Sequence, residues 1–393
     1  LSGRKAAGRR AGGGERSSSG SGSMSRDARM GRRRGRRLTL LIAGWLSMVI
    51  LWGPFSSGRA ASQEPAQPAR PEIGVYYYPG WHSIATALGA TREPWSYLQS
   101  FPERMPLRGW YHGADPGLVK EQMAWMSDAG IDYVAFDWYY DYNKIHLGEP
   151  LDVYRKLSGV KPKFSIMWAN HGQQTSEDDW KKIVAIWIDY FRDPSYYRID
   201  GKDVVFVFSV ARFEAAAKAA GSDAATWIQQ AQAQTKAAGL PGIYFIGSVN
   251  NGDPEVLRTL APNGFDAVSA YNLNVDHPPT EAGGYRARTD SYQRQWKKFL
   301  DLSGGVPLVV PMTSGWDRRP WGGSKDPRDD YAISSDAEFS EHLQAARRFM
   351  TEKGLRTGVV CCWNEYGEGS FIEPTQSDRF GHLSALKSVF GVR

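Results

Sequence analysis

The sequence predicts an α/β fold, a single (β/α)8 TIM barrel with long loops after its strands, over residues 72–393. Eight short apolar runs alternate with helical segments, the runs are apolar on both alternating faces, and polar and aromatic residues follow them. Parallel strands covered by helices are buried on both sides, so they give continuous apolar runs. An open doubly wound sheet is the alternative, but it usually has a glycine-rich turn after its first strand, whereas residues 78–82 read YPGWH.

The predicted strands are short and rich in Val, Ile, Phe and Tyr. They span residues 73–78, 133–138, 164–169, 204–209, 244–248, 267–271, 308–312 and 358–363. Asp115-Pro116 and Asp253-Pro254 each place an N-cap residue before a proline at the first helical position, which opens a helix. Apolar residues recur at helical spacing over residues 177–191. The other predicted helices span residues 115–129, 226–238, 285–300, 336–353 and 378–390.

The first 71 residues are interpreted as processing and linker segments that precede the barrel. Residues 1–29 form a basic, low-complexity extension. Residues 30–60 carry an arginine cluster, an apolar run over 38–52 and a patch of small residues, which is the order of a secretory signal. The apolar run is short for a transmembrane helix, although a retained anchor stays open. Residues 61–71 read as a Pro-rich linker, so we expect a secreted or periplasmic protein whose membrane attachment, if any, lies within residues 38–52.

The charge of the chain is unevenly distributed. Its formal net charge is +6, but residues 1–60 hold thirteen Lys/Arg and two Asp/Glu, so the remainder carries 35 basic and 40 acidic residues, a net charge of −5. A nucleic-acid partner is therefore not expected. Fifteen Trp and nineteen Tyr suit a carbohydrate site, although filling a core is the more common use of such side chains.

The only cysteines, Cys361 and Cys362, are adjacent in an apolar run. Neighbours on a strand point to opposite faces, which predicts that the two do not form a disulfide with each other. We expect the apolar core to stabilise the domain instead. No spacing of metal ligands is found, which argues against a metallohydrolase, and no nucleophile-elbow motif indicates a catalytic serine.

Polar and aromatic residues are concentrated after the predicted strands, where the chemistry of such barrels lies. Together they predict a cleft with hydrogen-bonding groups and flat faces for sugar rings. The predicted substrate-binding residues are Tyr78, Trp81, His82, Asp137, Trp138, Asn170, His171, Asn250, Tyr271, Trp316, Trp363 and Asn364. Packing at the barrel mouth is the alternative for the tryptophans, an ordinary loop position for the histidines, and capping of a turn for Asp137.

The predicted catalytic residues are Glu365 and Glu368, which follow the eighth strand. A tight turn there would place both carboxylates on one side. Glycoside hydrolysis uses such a pair, one as acid and the other as base or nucleophile, and crowding two carboxylates raises the pKa of one of them. A solvated loop is the alternative. Glu373 is interpreted as a salt-bridge partner. Arg318-Arg319 is interpreted as a solvated charged loop, with the binding of an acidic sugar as the alternative.

Three motifs make the resemblance to a known family recognisable. Residues 363–369, WNEYGEG, followed by IEP at 372–374, resemble the C-terminal signature of glycoside hydrolase family 99 and its family-99-like relatives. Residues 74–81, GVYYYPGW, and 130–138, GIDYVAFDW, look like the first- and second-strand motifs of the same proteins. The resemblance spans residues 73–390 and implies a (β/α)8 barrel.

The resemblance also implies an activity. Characterised family members are retaining endo-α-mannosidases and α-mannanases, in which the first glutamate of the signature acts on the sugar 2-hydroxyl and the second is the general acid/base. Glu365 and Glu368 match these positions, and the resemblance implies no metal or organic cofactor. The mannosidases usually have Trp and His where this chain has Tyr366 and Gly367, which leaves the sugar open. We therefore expect an exported glycosidase of an oligo- or polysaccharide; the alternatives are a non-catalytic carbohydrate-binding barrel and a glycosyl-transferring enzyme of polysaccharide assembly.

Overall fold

The structure is a computed structural model that describes residues 70–81, 93–159, 162–172, 174–275 and 283–391. The extension over 1–29, the signal or anchor over 30–60, most of the linker over 61–71, and His82 lie outside the described residues. The chain divides into two units, residues 1–66 and 67–393, and the fold described below belongs to the second. Within the described ranges, no helix combines the length and the apolar character needed to cross a bilayer.

Eight parallel strands form the barrel. They are β1 (Glu72–Tyr77), β2 (Tyr133–Asp141), β3 (Lys163–Trp168), β4 (Lys202–Val207), β5 (Ile243–Ser248), β6 (Ala267–Ser269), β7 (Val310–Thr313) and β8 (Thr357–Cys361). Neighbours in the sheet follow the order β6-β5-β4-β3-β2-β1-β8-β7. Val309 N donates to Val268 O at 2.9 Å, and Val268 N donates to Pro307 O at 3.0 Å. These bonds join β6 to the residues leading into β7, so the ring closes and the predicted barrel is confirmed.

Helices cover the barrel. They are α1 (Pro116–Asp128), α2 (Glu149–Lys156), α3 (Glu177–Phe191), α4 (Val210–Ala219), α5 (Ala224–Ala237), α6 (Pro254–Asn263), α7 (Tyr285–Leu302), α8 (Asp336–Lys353) and α9 (Gly381–Phe390). Asp115 caps α1 by accepting from Leu118 N, and Asp253 caps α6, as predicted. Helices α2 and α4 were not predicted, because α2 is short and the buried face of α4 consists largely of alanine, which gives weak apolar periodicity.

The core has two layers, and the alternation of side chains along β2 separates them. Tyr133 and Ala135 point into the barrel, whereas Val134 and Phe136 pack between the barrel and its helices. Aromatic residues fill both layers, and the almost completely buried tryptophans include Trp81, Trp138, Trp168, Trp180, Trp187, Trp227, Trp296 and Trp363. Much of the aromatic excess therefore serves the core, which is the more common use of such side chains.

The cysteines contradict the expectation drawn from the sequence. Cys361 and Cys362 form a disulfide with each other, are joined by a cis peptide bond, and are fully buried. The prediction assumed that both residues belong to one extended strand, where neighbouring side chains point apart. Strand β8 ends at Cys361, so that alternation does not extend to Cys362.

Candidate active site

A cleft of about 1130 Å³ opens among the segments that follow the barrel strands. Eight of the predicted site residues line it, namely Tyr78, Asp137, His171, Asn250, Tyr271, Trp316, Glu365 and Glu368. They come from loops far apart in sequence, and the barrel brings them together because the carboxyl ends of its parallel strands meet on one face.

The two predicted catalytic glutamates lie on a small hairpin after β8. Asn364–Glu365 pairs antiparallel with Ser370–Phe371, and a 3₁₀ turn, Tyr366–Glu368, joins them. In a 3₁₀ turn, residues three apart lie on the same side. Glu365 and Glu368 therefore both line the cleft, as the spacing predicted.

A third carboxyl group shares a tyrosine with Glu365. The Tyr271 hydroxyl lies 2.7 Å from Asp137 Oδ2 and 3.0 Å from Glu365 Oε1. A phenol carries one proton, so both contacts are hydrogen bonds only when one of the two carboxyls is protonated and donates to the phenol oxygen. Burial raises the pKa of Asp137 and of Glu365 well above the ordinary range, and the charge of Glu368 raises both further. The geometry and the charges thus favour a proton held between Asp137 and Glu365.

Glu368 has the pKa expected of an acid catalyst. Burial raises its pKa to about 7, while the positive charges of Arg318 and Arg288 oppose that rise. A group with this pKa is present in both protonation states near neutral pH, which suits a residue that first donates and then accepts a proton.

Strand β2 supplies three residues to the cleft instead of one. It continues to Asp141, beyond the predicted end, so Asp137, Tyr139 and Asp141 share its inner face and all line the cleft. The sequence offered this signal, because alternation from Asp137 identifies the other two once the strand is extended. His171 lies against Tyr139, with ring centroids 5.9 Å apart, and burial lowers the pKa of this histidine, which favours its neutral form.

Three tryptophans predicted to bind sugar do not line the cleft. Trp138 lies on the outer face of β2, is 2% exposed, and donates from Nε1 to the Tyr190 hydroxyl at 3.3 Å. Trp81 stacks on Trp95 with ring centroids 4.1 Å apart, and Trp363 is buried between the barrel and its helices. The alternative of packing at the barrel mouth is correct for Trp81, whereas Trp138 and Trp363 pack between the barrel and its helices.

Two asparagines predicted to bind substrate instead hold the backbone. Asn364 accepts from Tyr78 N at 2.8 Å and donates to Tyr78 O at 2.9 Å, and it is fully buried. Asn170 makes the same pair of bonds with the backbone of Ser209, both at 2.9 Å, and is not among the residues that line the cleft. The role of Asn364 is therefore to position Tyr78, which does line the cleft.

Glu373 forms no salt bridge with any described residue, contrary to the interpretation from sequence. It is 2% exposed and accepts from the Tyr111 hydroxyl at 2.7 Å and from Gln122 Nε2 at 2.8 Å. Burial among these neutral donors raises its pKa to about 7. Glu373 does not line the cleft, which separates it from the two catalytic candidates.

The long loops contribute cleft residues that were not predicted. Apart from the residues on β2, the cleft residues that were not predicted include Tyr97, Phe208, Asn272, Asn274, Arg318, Pro320 and Trp321. The indole of Trp321 lies directly over Gly367, and a Cβ added at Gly367 would overlap that ring. The only signal for Trp321 in the sequence was its place in a long loop on the active face.

A buried arginine of the first loop contacts both the loop after β7 and the small hairpin that carries Glu365 and Glu368. Arg104 is fully buried, and its Nη2 lies 2.6 Å from Asp317 Oδ2. Its Nη1 donates to the carbonyls of Asp317 and Tyr366, at 3.0 and 2.9 Å. Asp317 N in turn donates to Glu368 O at 2.6 Å. Arg104 therefore supports the turn that carries Glu368.

We expect Arg104→Met to lower the free energy of unfolding by about 3 kcal/mol, because it leaves the buried carbonyls of Asp317 and Tyr366 without this donor and the Asp317 carboxylate with Arg319 alone as its cation among the described residues. Urea denaturation measures this change. The matched control is Arg108→Met in the same loop, where the arginine side chain is 58% exposed and pairs with Glu121; we expect a change within about 0.5 kcal/mol there. Equal effects of the two substitutions would contradict the role given to Arg104.

One group with the donors for a metal ion lies among the described residues. His382 Nδ1 is 2.9 Å from Asp378 Oδ2 and 3.3 Å from Asp336 Oδ1. None of the three lines the cleft. This group is therefore separate from the carboxylates of the cleft.

Solved structures share this fold. A "Glycoside hydrolase-like protein" matches with a TM-score of 0.60 at 16% identity, covering 82% of this chain and 95% of that chain. The GH99 endo-alpha-mannosidase from Bacteroides thetaiotaomicron matches with a TM-score of 0.53 at 16% identity, covering 81% of this chain and 96% of that chain. At this identity the likeness is one of fold, and at that level it confirms the resemblance to family 99.

The sequence itself matches one family. No curated protein is significantly similar to the chain. The model of the family described as "Glycosyltransferase WbsX" matches residues 99–386, well over half of the sequence and including Glu365 and Glu368. The chain therefore belongs to the WbsX family.

Proposed function

We propose that this protein is a retaining glycoside hydrolase that acts within α-mannoside-type or related polysaccharides. The proposal rests on one observation, which is that Glu365 and Glu368 line the same cleft as Asp137 and Tyr271. Two glutamates flanking a glycosidic bond can supply the acid and the base that hydrolysis requires. The fold likeness to a GH99 endo-alpha-mannosidase supports the same reaction class.

Each carboxyl has a distinct role in the proposed reaction. Glu365 removes the proton of the sugar 2-hydroxyl, whose oxygen attacks the anomeric carbon, while Glu368 protonates the departing glycosidic oxygen. Water then opens the resulting 1,2-anhydro sugar: Glu368 takes a proton from water, and Glu365 returns its proton to the 2-oxygen. Both glutamates end in their starting states, and configuration is retained after two inversions.

The proposed roles require that Asp137, and not Glu365, carries the proton held between them. Glu365 must start as a carboxylate to act as a base. If Asp137 carries the shared proton, it donates to the Tyr271 oxygen, and Tyr271 donates to Glu365. Asp137 then serves as a positioning residue that keeps Glu365 ionised and oriented through the tyrosine.

Activity is expected to fall as the pH rises through about 7. Glu368 must be protonated to donate to the leaving oxygen, and its pKa is raised to about 7 by burial, so its acid form is lost above that pH. A profile of kcat/KM against pH for the free enzyme reports this group. A profile that stays flat from pH 6 to pH 9 would contradict the assignment of Glu368 as the acid.

The deciding experiment is product release from α-mannans, other α-glycans and acidic exopolysaccharides, with the wild type compared with Glu368→Gln. Oligosaccharides released by the wild type and not by the variant would establish the hydrolase and identify the sugar. Binding by both proteins without release would favour a non-catalytic carbohydrate-binding barrel.

Glycosyl transfer is a second candidate, which the family's description as a glycosyltransferase favours. A sugar hydroxyl in place of water would open the same 1,2-anhydro intermediate, with Glu368 taking the proton of the acceptor. Incubation with a labelled acceptor oligosaccharide separates the two outcomes. Elongated labelled products indicate transfer, and an unchanged acceptor beside shortened donor chains indicates hydrolysis.

We further propose export through residues 30–60, because their charged, apolar and small-residue segments follow the order of a secretory signal. N-terminal sequencing of the protein recovered outside the cytoplasm tests this. A mature chain that begins near residue 61 supports a cleaved signal, and recovery of an intact N-terminus in the membrane fraction supports an anchor within residues 38–52.

A further inference from the structure

A second cavity adjoins the cleft on the side of the loop after β7. It has a volume of about 550 Å³, and the charged and aromatic residues of its lining are Arg288, Trp316, Arg318, Lys325, Asp326 and Asp329. Asn274, Trp316 and Arg318 line both spaces. The cleft that holds Glu365 and Glu368 therefore continues into this cavity, which we call the cationic lobe.

A buried arginine forms the inner wall of the cationic lobe. Arg288 is 2% exposed, and its guanidinium lies 5.7 Å from the ring centroid of Trp316. Its Nη1 donates to Leu273 O at 3.0 Å and to Asn272 Oδ1 at 3.5 Å, and the carboxylate that pairs with it, Asp329, is 4.0 Å away. Its Nε has no hydrogen-bond partner among the described residues. A buried cation so weakly paired is costly unless something else compensates it.

Arg318 and Arg319, which are adjacent in the loop after β7, have different partners. Arg319 is bound to Asp317, with Nη2 2.6 Å from Oδ2. Arg318 forms no ion pair with any described residue, and its Nε is buried without a partner. Its guanidinium borders both the catalytic cleft and the cationic lobe.

The carboxylates of the lobe do not balance its cations. Asp326 is bound by Arg328, with 2.6 Å between Oδ2 and Nη2, and Asp329 faces Arg288. Arg318 and Lys325 remain as excess positive charge on the lining of the lobe. Excess cations in a cavity favour an anionic ligand.

We infer that the cationic lobe is a subsite for an anionic group on the glycan, either the carboxylate of a uronic acid or a phosphate ester, next to the sugar cleaved at Glu365 and Glu368. Guanidinium groups bind such anions in a bidentate manner, and Trp316 offers an aromatic face to the sugar that carries the anion. The inference rests on the proposed function and names its substrate class, an acidic polysaccharide.

Binding to matched pairs of glycans tests the inference in the Glu368→Gln variant, which does not consume them. One pair is xanthan and its carboxyl-reduced form, and the other is phosphomannan and its dephosphorylated form. We expect the charged member of at least one pair to bind about tenfold tighter or more, with a preference that weakens as salt rises. The pair that shows the preference distinguishes a carboxylate from a phosphate. Equal affinity within both pairs, including no measurable binding, would overturn the inference.

Further substitutions in the Glu368→Gln variant test which residues cause the preference for charged glycans. We expect Arg318→Met to remove about tenfold or more of the preference and Lys325→Met, at an exposed position, about threefold. The matched control is Arg286→Met on α7, where the side chain is 77% exposed, and its preference should be unchanged. Loss of preference in the control, or none in Arg318→Met, would contradict the assignment.

Two further readouts distinguish an anion subsite from an effect of Arg318 on Glu368 alone. If Arg318 acted only by lowering the pKa of Glu368, Arg318→Met in the active enzyme would shift the alkaline limb of the pH profile equally on charged and neutral glycans, and Lys325→Met would have no effect. That result would overturn the subsite. Hydrolysis of neutral glycans alone would leave the proposed function intact without the subsite, whereas selective binding of charged glycans without cleavage would leave the subsite intact without the hydrolase.

Discussion

Replacing Glu368 with glutamine is expected to lower kcat/KM on an unactivated polysaccharide by about 10²–10⁴-fold, the usual contribution of a positioned general acid. Glutamine keeps the shape of the side chain but cannot donate a proton to the leaving oxygen. Reducing-end release by the wild type and the variant at pH 6, below the pKa of about 7, measures the loss. The low pH matters, because there most of the wild-type Glu368 carries its proton.

An activated substrate provides the control for this prediction. An aryl glycoside of the cleaved sugar has a leaving group that needs no proton, and azide can open the intermediate without a base. We expect the Glu368→Gln variant to regain activity on the aryl glycoside with azide and to form a glycosyl azide of retained configuration. An equally large loss on both substrates, with no azide product, would indicate that Glu368 has another role.

Replacing Glu365 with glutamine is expected to have a comparable or larger effect, at least about 10³-fold, on both kinds of substrate. Glu365 acts on the 2-hydroxyl, which is the nucleophile, so neither a better leaving group nor azide replaces it. The same argument predicts that a 2-O-methyl substrate resists the wild type. Initial rates on the polysaccharide and the aryl glycoside measure the effect.

Glu373→Gln is the matched control for Glu365→Gln. Glu373 is a buried glutamate on the same segment, hydrogen-bonded to Tyr111 and Gln122 and outside the cleft. We expect this variant to retain most of its kcat. Recovery of Glu365→Gln activity by azide, or a comparable loss in Glu373→Gln, would contradict the assignment of Glu365 as the base.

The fold was predictable because the periodicity of each element is local. Strand β2 shows this for the site. Its alternation places Asp137 inward and Trp138 outward, and both lie within the predicted strand, so the sequence already separated them. The early predicted end of the strand concealed only Tyr139 and Asp141. The alternation of side chains holds only within a strand. Trp81 and Asn364 lie beyond the ends of β1 and β8, so the alternation of those strands does not give the direction of their side chains.

Contacts between distant loops could not be predicted from the sequence. Arg104 and Asp317 meet because the first loop and the loop after β7 cross over the catalytic hairpin. Such pairings depend on loop paths in three dimensions, and a single sequence contains no periodic signal for them.

The contact of Trp321 with Gly367 has a consequence for how relatives diverge. The indole fills the volume that any side chain at position 367 would need, so tryptophan at one position and the histidine of the mannosidases at the other exclude each other. A lineage cannot exchange either residue alone without losing the packing over the cleft. The two positions are therefore expected to change together among relatives.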